Sequence, residues 1–344
     1  MEVRKKQNQC LNFIKGCACF SILFMHTNSG GNWASVITCL SRYAVLIFFM
    51  ISGYYCYKKN DDNIKSKYTK KIKHISKLCV FSVMLYYLWN VCQLYLQQGN
   101  LSYISQLHKM IFNGKTIFEF LLFNQVPVGG TLWFLFALLY CYLIMWFIDK
   151  KKCYKSAYVL AFCFIALHII SRGIIQYIGL IEEEQNIVYY RNFIFMGLPF
   201  FLLGNMIHRY EEKIVSRFTN KQLIIMMIIG LIVSCMERFI VPLELYWGTV
   251  LATICIFVVA IKNSEKKVIP IISMIGAKYS MEIYILHPIV SGILYYLKCI
   301  GGIQNNKILL IFNPLLVYVT IVLLCIMVTK ICSLAGKGHN HEEK

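Results

Sequence analysis

Ile308 to Val328 is a stretch of 21 residues in which Asn313 and Thr320 are the only strongly polar members. A helix rises about 1.5 Å per residue, so this stretch reaches across the roughly 30 Å hydrocarbon core of a bilayer. Leu223–Met236 and Tyr246–Ile261 are shorter runs of the same character. The chain is 58% hydrophobic and 15% charged, with a mean hydropathy of +0.59. Soluble domains carry about 25% charged residues, and a core of this size cannot hide so much apolar surface. Lipid can solvate it. The fold expected is therefore all-α: a polytopic membrane helix bundle forming a single domain over 1–344.

About ten spans are expected, at 10–27, 36–57, 75–97, 130–148, 156–171, 190–207, 222–236, 246–261, 279–298 and 308–331. Arg4, Lys5 and Lys6 ahead of an apolar run resemble a secretory leader. No small-x-small cleavage site precedes Thr27, so this run is read as the first span. The net charge of +19 raises the question of nucleic acid, and its distribution answers it. With the N-terminus inside, the inner segments hold 26 of the 35 Lys and Arg residues and the outer ones seven. Basic residues flanking spans resist translocation. The charge thus reads as a topology signal, with both termini cytoplasmic in a cell membrane, and no nucleic-acid partner is implied. The 15 cysteines fall mostly within apolar segments, where they act as small hydrophobes. Neither a metal site nor a disulfide framework is expected. Thr116–Phe123 is apolar but too short to span, and reads as a re-entrant or interfacial piece.

Charges inside spans are costly and mark function by default. Lys15 and Arg42 are two such residues. Lys15 and His26 lie eleven residues apart, three helical turns plus about 20°, which puts both on one face about 16 Å apart along the axis. An imidazole titrates near working pH and suits a general base for a hydroxyl. The cations suit an anionic donor or an oxyanion. The plainer alternative is that Lys15 and Arg42 snorkel to the two interfaces. His287 precedes Pro288, which removes a helical N–H and frees a carbonyl. His287 is then either a structural partner for that carbonyl or a site residue. Trp133 and Arg191 open spans, where they serve as interfacial anchors or line a substrate path. Glu282 pairs most simply with Lys278, and His168 reads as an interior hydrogen-bonding residue.

These residues fall into an ordered set. Lys15 with His26 resembles the Arg-x10-His motif of the acyltransferase-3 family of bacterial multi-pass membrane O-acyltransferases, with lysine in the arginine place. Arg42–Tyr54 is similar to that family's Arg-x-x-Val-x-x-Phe-Phe-x-x-Ser-Gly stretch, ending in Ser52 and Gly53. Lys70-Lys71-Ile72-Lys73 fits its inner basic motif. Leu132–Leu135, Tyr190–Asn192, Pro199–Gly204 and Ser280–Pro288 fit later elements. The resemblance implies transfer of an acyl group, commonly acetyl, from cytoplasmic acyl-CoA to a hydroxyl of an envelope glycan or lipid-linked sugar. In that scheme His26 is the general base or transient acyl carrier. Lys15, Lys70 and Lys73 attract the phosphates of CoA. Arg42 steadies the reacting carbonyl or positions the acceptor, and Ser52 and Gly53 let helices approach near the acyl path. Lysine cannot form the bidentate fork of an arginine: if the family's cation works through that fork, this protein is expected to be weaker or inactive in that step, and if it works through charge alone the change is tolerated. Two other classes remain at this level: a carrier or flippase for an envelope precursor or anionic metabolite, and a membrane sensor or binding module.

Overall fold

A computed structural model describes residues 8–27, 32–57, 64–98, 104–179 and 189–339. All regular elements among the described residues are helical. In chain order they begin with α1 (Gln9–Thr27), α2 (Asn32–Ser41), α3 (Tyr43–Tyr54), α4 (Ile64–Gln98), α5 (Ile104–Ile111), α6 (Gly114–Phe123), α7 (Trp133–Lys151) and α8 (Tyr154–Ile178). A π-helical turn, Phe193–Gly197, leads into α9 (Leu198–Arg209), followed by α10 (Glu211–Arg217), α11 (Asn220–Ile240) and α12 (Trp247–Lys262). The last are α13 (Pro270–Lys278), α14 (Ser280–Ile300), α15 (Lys307–Ile311) and α16 (Asn313–His339).

Among the described residues, seven helices are long and apolar enough to cross a membrane: Ala34–Tyr54, Ser66–Gln97, Gly130–Lys151, Tyr154–Ile178, Asn220–Ile240, Ser280–Ile300 and Asn313–Ser333. The three other expected spans are also helices. Gln9, Asn12, Lys15 and His26 dilute the apolar run of α1, which lies outside the seven, while Phe193–Arg209 and Trp247–Lys262 are shorter apolar helices. Along α11, Ile224, Ile225, Ile228, Ile229 and Ile232 are all exposed. That stripe is unfavourable in water and at home in lipid.

Several boundaries differ from the sequence expectation: the span expected at 75–97 begins at Ser66, and the one expected at 308–331 is broken at Phe312, so that its crossing helix runs Asn313–Ser333. The stretch expected as one span at 36–57 is interrupted at Arg42, a turn residue between α2 and α3 whose N–H bonds Cys39 O at 3.2 Å. The span expected at 156–171 continues to Ile178 and carries Arg172 into the helix. Thr116–Phe123, expected to be re-entrant or interfacial, lies in α6, which buries none of its residues. Asn113 caps it by accepting from Thr116 N, and Asn124 closes it in the left-handed conformation.

The chain divides into two compact units, residues 1–44 with 263–344 and residues 45–262. In the first, α13 and α14 follow α1. A methyl group on Gly16 would run into Ile272 O, and one on Gly276 would run into Asn12 O, so the two backbones meet only because both residues lack a side chain. Further on, Cys19 Sγ approaches Ser280 O at 3.9 Å, and the rings of His26 and His287 lie 5.2 Å apart. Positions 19 to 26 and 280 to 287 advance by the same seven residues, so α1 and α14 run parallel and side by side. Tyr318 of α16 packs edge-on against Phe20 at 5.6 Å.

In the second unit, α3 and α9 cross at Gly53 and Gly204. A methyl on either would strike the opposing backbone, Phe201 O or Met50 O. Asn205 reinforces the crossing, donating to Gly53 O at 3.2 Å while accepting from Tyr158 OH at 2.8 Å. Helix α4 is held against α7 by Tyr68 OH, which donates to Asp149 at 2.6 Å, and by Tyr86 OH against Thr131 at 3.2 Å. Helices α11 and α12 pack through Gly230, Gly248 and a Ser234–Thr249 hydroxyl pair at 2.6 Å. The Glu237 carboxylate caps α12 through the N–H groups of Trp247 and Gly248.

Candidate active site

The first unit holds Lys15, His26, Arg42 and His287. Helix α1 begins with Asn8, whose side chain accepts from Leu11 N at 3.0 Å. It runs unbroken through Thr27, so the shared face derived for Lys15 and His26 applies. Lys15 is half-buried and His26 exposed. Glu282, expected to pair with Lys278, lies within electrostatic reach of Lys15 from α14. Arg42 is half-buried at the α2–α3 turn, and the adjacent Tyr43 hydroxyl meets Ser21 of α1 at 3.2 Å.

His287 is fully buried, and its position follows from Pro288. Proline brings no N–H to the carbonyl four residues back, which is Tyr284 O. His287 Nδ1 donates to that same carbonyl at 2.8 Å. A carbonyl only accepts, so the proton of the neutral ring is on Nδ1 and the lone pair is on Nε2. Nε2 is buried and has no hydrogen-bond partner among the described residues. The ring beside it is His26, tilted by 36°. Both roles open for His287 in the sequence meet here, since the residue satisfies the freed carbonyl and also stands next to His26.

The other candidates lie in the second unit. Lys70 and Lys73 are exposed on the first turns of α4. Between them, Lys71 turns inward and reaches Tyr55 O at 3.1 Å and Cys56 Sγ at 3.2 Å. Lys67 lies 3.6 Å from Asp149. The basic segment is thus divided between solvent and interior. Ser52 Oγ donates to Phe48 O at 2.8 Å, and Gly53 forms the α9 crossing. Trp133 is buried, with the Arg191 guanidinium 5.9 Å from its ring centroid. Asn192 opens the π-helical turn by accepting from Ile194 N and Phe195 N, and π-helical turns recur at functional sites. Asn124 connects these elements, donating to Trp133 O at 2.9 Å and accepting from Phe193 N at 2.8 Å. Its role was hidden in the sequence, where it reads as an ordinary loop asparagine. His168 is buried against Tyr190 and Phe195, at 5.4 and 5.9 Å.

A buried imidazole lone pair beside an exposed imidazole, on helices that also carry Lys15, is a set of groups suited to moving a proton. A family model described as an acyltransferase domain matches residues 8–332 and so takes in both units. Comparison with curated proteins and with solved structures gave no match. The match covers nearly the whole chain and runs from the start of α1 into α16. The chain belongs to the acyltransferase-3 family, and its chemistry is acyl transfer.

Proposed function

We propose that the protein is a membrane O-acyltransferase that moves an acyl group, acetyl in the first instance, from cytoplasmic acyl-CoA to a hydroxyl of a cell-envelope glycan or lipid-linked sugar. The observation that carries this reading is the pairing of His26 with His287 in a chain of an acyl-transferring family. In the reaction, the acceptor oxygen bonds to the thioester carbonyl while its proton passes to His26. The C–S bond then breaks, and the departing thiolate takes the proton from His26. An ester and free CoA thiol result, and His26 is restored. Arg42 steadies the carbonyl oxygen as it gains charge.

The reading includes about ten crossings with both termini in the cytoplasm, supported by the Lys and Arg asymmetry. That orientation gives exposed Lys70 and Lys73 the donor side, where they attract the CoA phosphates together with Lys15. Ser52 and Gly53 allow close helix approach along the acyl path, and Trp133 and Arg191 line the acceptor side. The test is His26→Ala in the full-length protein. Transfer of labelled acetyl to envelope glycan should disappear while the protein still reaches the membrane in normal amount. Undiminished transfer would remove His26 from the chemistry.

A further inference from the structure

Helix α4 runs antiparallel to α7 and the turn before it, and polar pairs join them at two levels, Tyr68 with Asp149 and Tyr86 with Thr131. The same 18 residues separate the two levels on each side, which is about 27 Å of helical rise and close to the thickness of a hydrocarbon core. Tyr86 thus marks one boundary of the apolar layer, at the end of the crossing opposite Lys70 and Lys73. Trp89 and Asn90 follow it on α4, in keeping with the composition of the headgroup level.

At that level a groove of about 270 Å³ opens beside α4. Met84 and Leu88, one turn apart on α4, and Phe112 after α5 are exposed along its rim, while Ile111 and Val128 are buried at its floor. The Tyr87 hydroxyl is taken up by His108 Nε2 at 2.7 Å, which leaves the lining apolar. The floor is fixed in place. Asn90 donates to Val128 O at 2.8 Å, Thr131 meets Tyr86, and Asn124 donates to Trp133 O at 2.9 Å. A charge stands near the same segment, because a methyl on Gly130 would lie 4.0 Å from Arg191 Nη2. Gly130 is two residues from Val128, at most about 7 Å of chain. Lys109, exposed in the last turn of α5, adds a second cation close to the rim.

We infer that this groove holds the hydrocarbon chain of the acyl acceptor, a lipid-linked phosphosugar whose phosphate lies at Arg191. An apolar groove at the edge of the hydrocarbon layer is reached by a molecule already in the bilayer. A free sugar has nothing to offer such a lining, and a plain hydrocarbon has nothing to offer a guanidinium. A chain that ends in a phosphate matches both. The fork of an arginine suits phosphate oxygens, and the Arg191 guanidinium is steadied over the Trp133 ring at 5.9 Å. A sugar carried on that phosphate projects into the headgroup layer, away from the basic end of α4. Boundary phospholipid shares the chemistry of chain and phosphate, but it coats convex helix faces and needs neither a recessed floor nor a segment pinned by hydrogen bonds.

The acceptor role rests on the acyl-transfer reading, whereas occupancy of the groove is measured without it. Full-length protein in lipid nanodiscs is irradiated with a polyprenyl phosphate N-acetylglucosamine that carries a diazirine on its chain, and labelled peptides are read by mass spectrometry. Label should fall on residues 83–88 and 111–112 and persist in excess phosphatidylglycerol. It should be lost in Met84→Trp, whose ring fills the groove from an exposed position. If Met84→Trp lowers the unfolding midpoint, Leu88→Trp, one turn along the rim, takes its place. Val159→Trp, exposed on α8, is the control for an added ring and should label like wild type. Arg191→Gln should weaken labelling by the phosphosugar about tenfold and leave labelling by the uncharged polyprenol unchanged. CoA thiol release from acetyl-CoA is then followed with the same lipid-linked sugar as acceptor, where Met84→Trp should raise its KM about tenfold or more. Label displaced by phosphatidylglycerol, or spread along the exposed faces of α4 and α11, identifies boundary lipid and overturns the inference while the acyl-transfer reading stands. A KM indifferent to Met84→Trp does the same. A labelled groove with no thiol release by wild type overturns the acyl-transfer reading and the acceptor role together.

Discussion

Arg172 and Glu244 meet through two parallel hydrogen bonds, Nε to Oε2 and Nη2 to Oε1, each 3.1 Å long. The arginine side chain is wholly buried and that of Glu244 is 12% exposed. The guanidinium also donates to Gln176 at 3.3 Å and lies 5.7 Å from the Tyr190 ring. Bidentate geometry is the strong form of this interaction, and it ties α8 to the chain that follows α11.

Breaking such a pair from one side strands a charge. Glu244→Ala should destabilise the second unit by roughly 3–5 kcal/mol, whereas a paired Arg172→Met, Glu244→Leu replacement should cost far less. Thermal unfolding of the detergent-solubilised protein reads the difference. Equal losses in the single and double variants would show that the pair does not act as a unit.

The crossing of α3 and α9 depends on two missing side chains. Gly53→Ala and Gly204→Ala each put a methyl into the opposing backbone, at Phe201 O and Met50 O. Neither backbone is the flexible end of a side chain that can swing aside, so each variant should lose about 1–3 kcal/mol or more. Gly173→Ala is the control, because nothing lies within 4 Å of a methyl group there. Unfolding midpoints of the three variants check this.

The basic segment at the start of α4 should separate into two behaviours. Asp149→Ala removes the acceptor for both Tyr68 OH and Tyr154 OH, at 2.6 and 2.8 Å. Leaving those hydroxyls unsatisfied should cost about 1–3 kcal/mol each at most. Lys70→Ala and Lys73→Ala touch only exposed positions and should change stability by less than about 0.5 kcal/mol. Their effect is expected in the KM for acetyl-CoA, which should rise most at low salt and converge on wild type as salt screens the phosphates. A KM that ignores both lysines and salt would exclude them from donor binding.

Cys153, exposed in the turn between α7 and α8, reports the proposed orientation. A membrane-impermeant maleimide added to intact cells should leave Cys153 unlabelled until the membrane is permeabilised. A cysteine introduced as Lys115→Cys, exposed on α6, should label without permeabilisation. The opposite pattern would invert the topology and move the donor side with it.

The helical fold and the membrane environment were legible in the sequence because both depend on properties carried by contiguous residues. Apolar runs such as Leu223–Met236, which lies inside the crossing helix Asn220–Ile240, mark a span whatever surrounds them, and the Lys and Arg asymmetry is a property of connecting segments alone. The alignment of Lys15 with His26 belongs to the same level, since one helix relates them. Even the Tyr284–His287–Pro288 device is local, and the missing proline N–H announced a free carbonyl. Other relationships lie beyond any local rule. His26 and His287 are 261 positions apart and meet because Gly16 and Gly276 let α1 and its partner helices run together in one register. Arg172 falls just past the span expected at 156–171, because no nearby residue signals that Glu244 pairs with it while α8 continues to Ile178. Lys67, Lys70, Lys71 and Lys73 are alike in sequence, yet their surroundings divide them between interior contacts and solvent. Helix existence follows from hydrophobic length and backbone chemistry. Which side chains become partners depends on which backbones can approach, and that was decided only by packing in three dimensions.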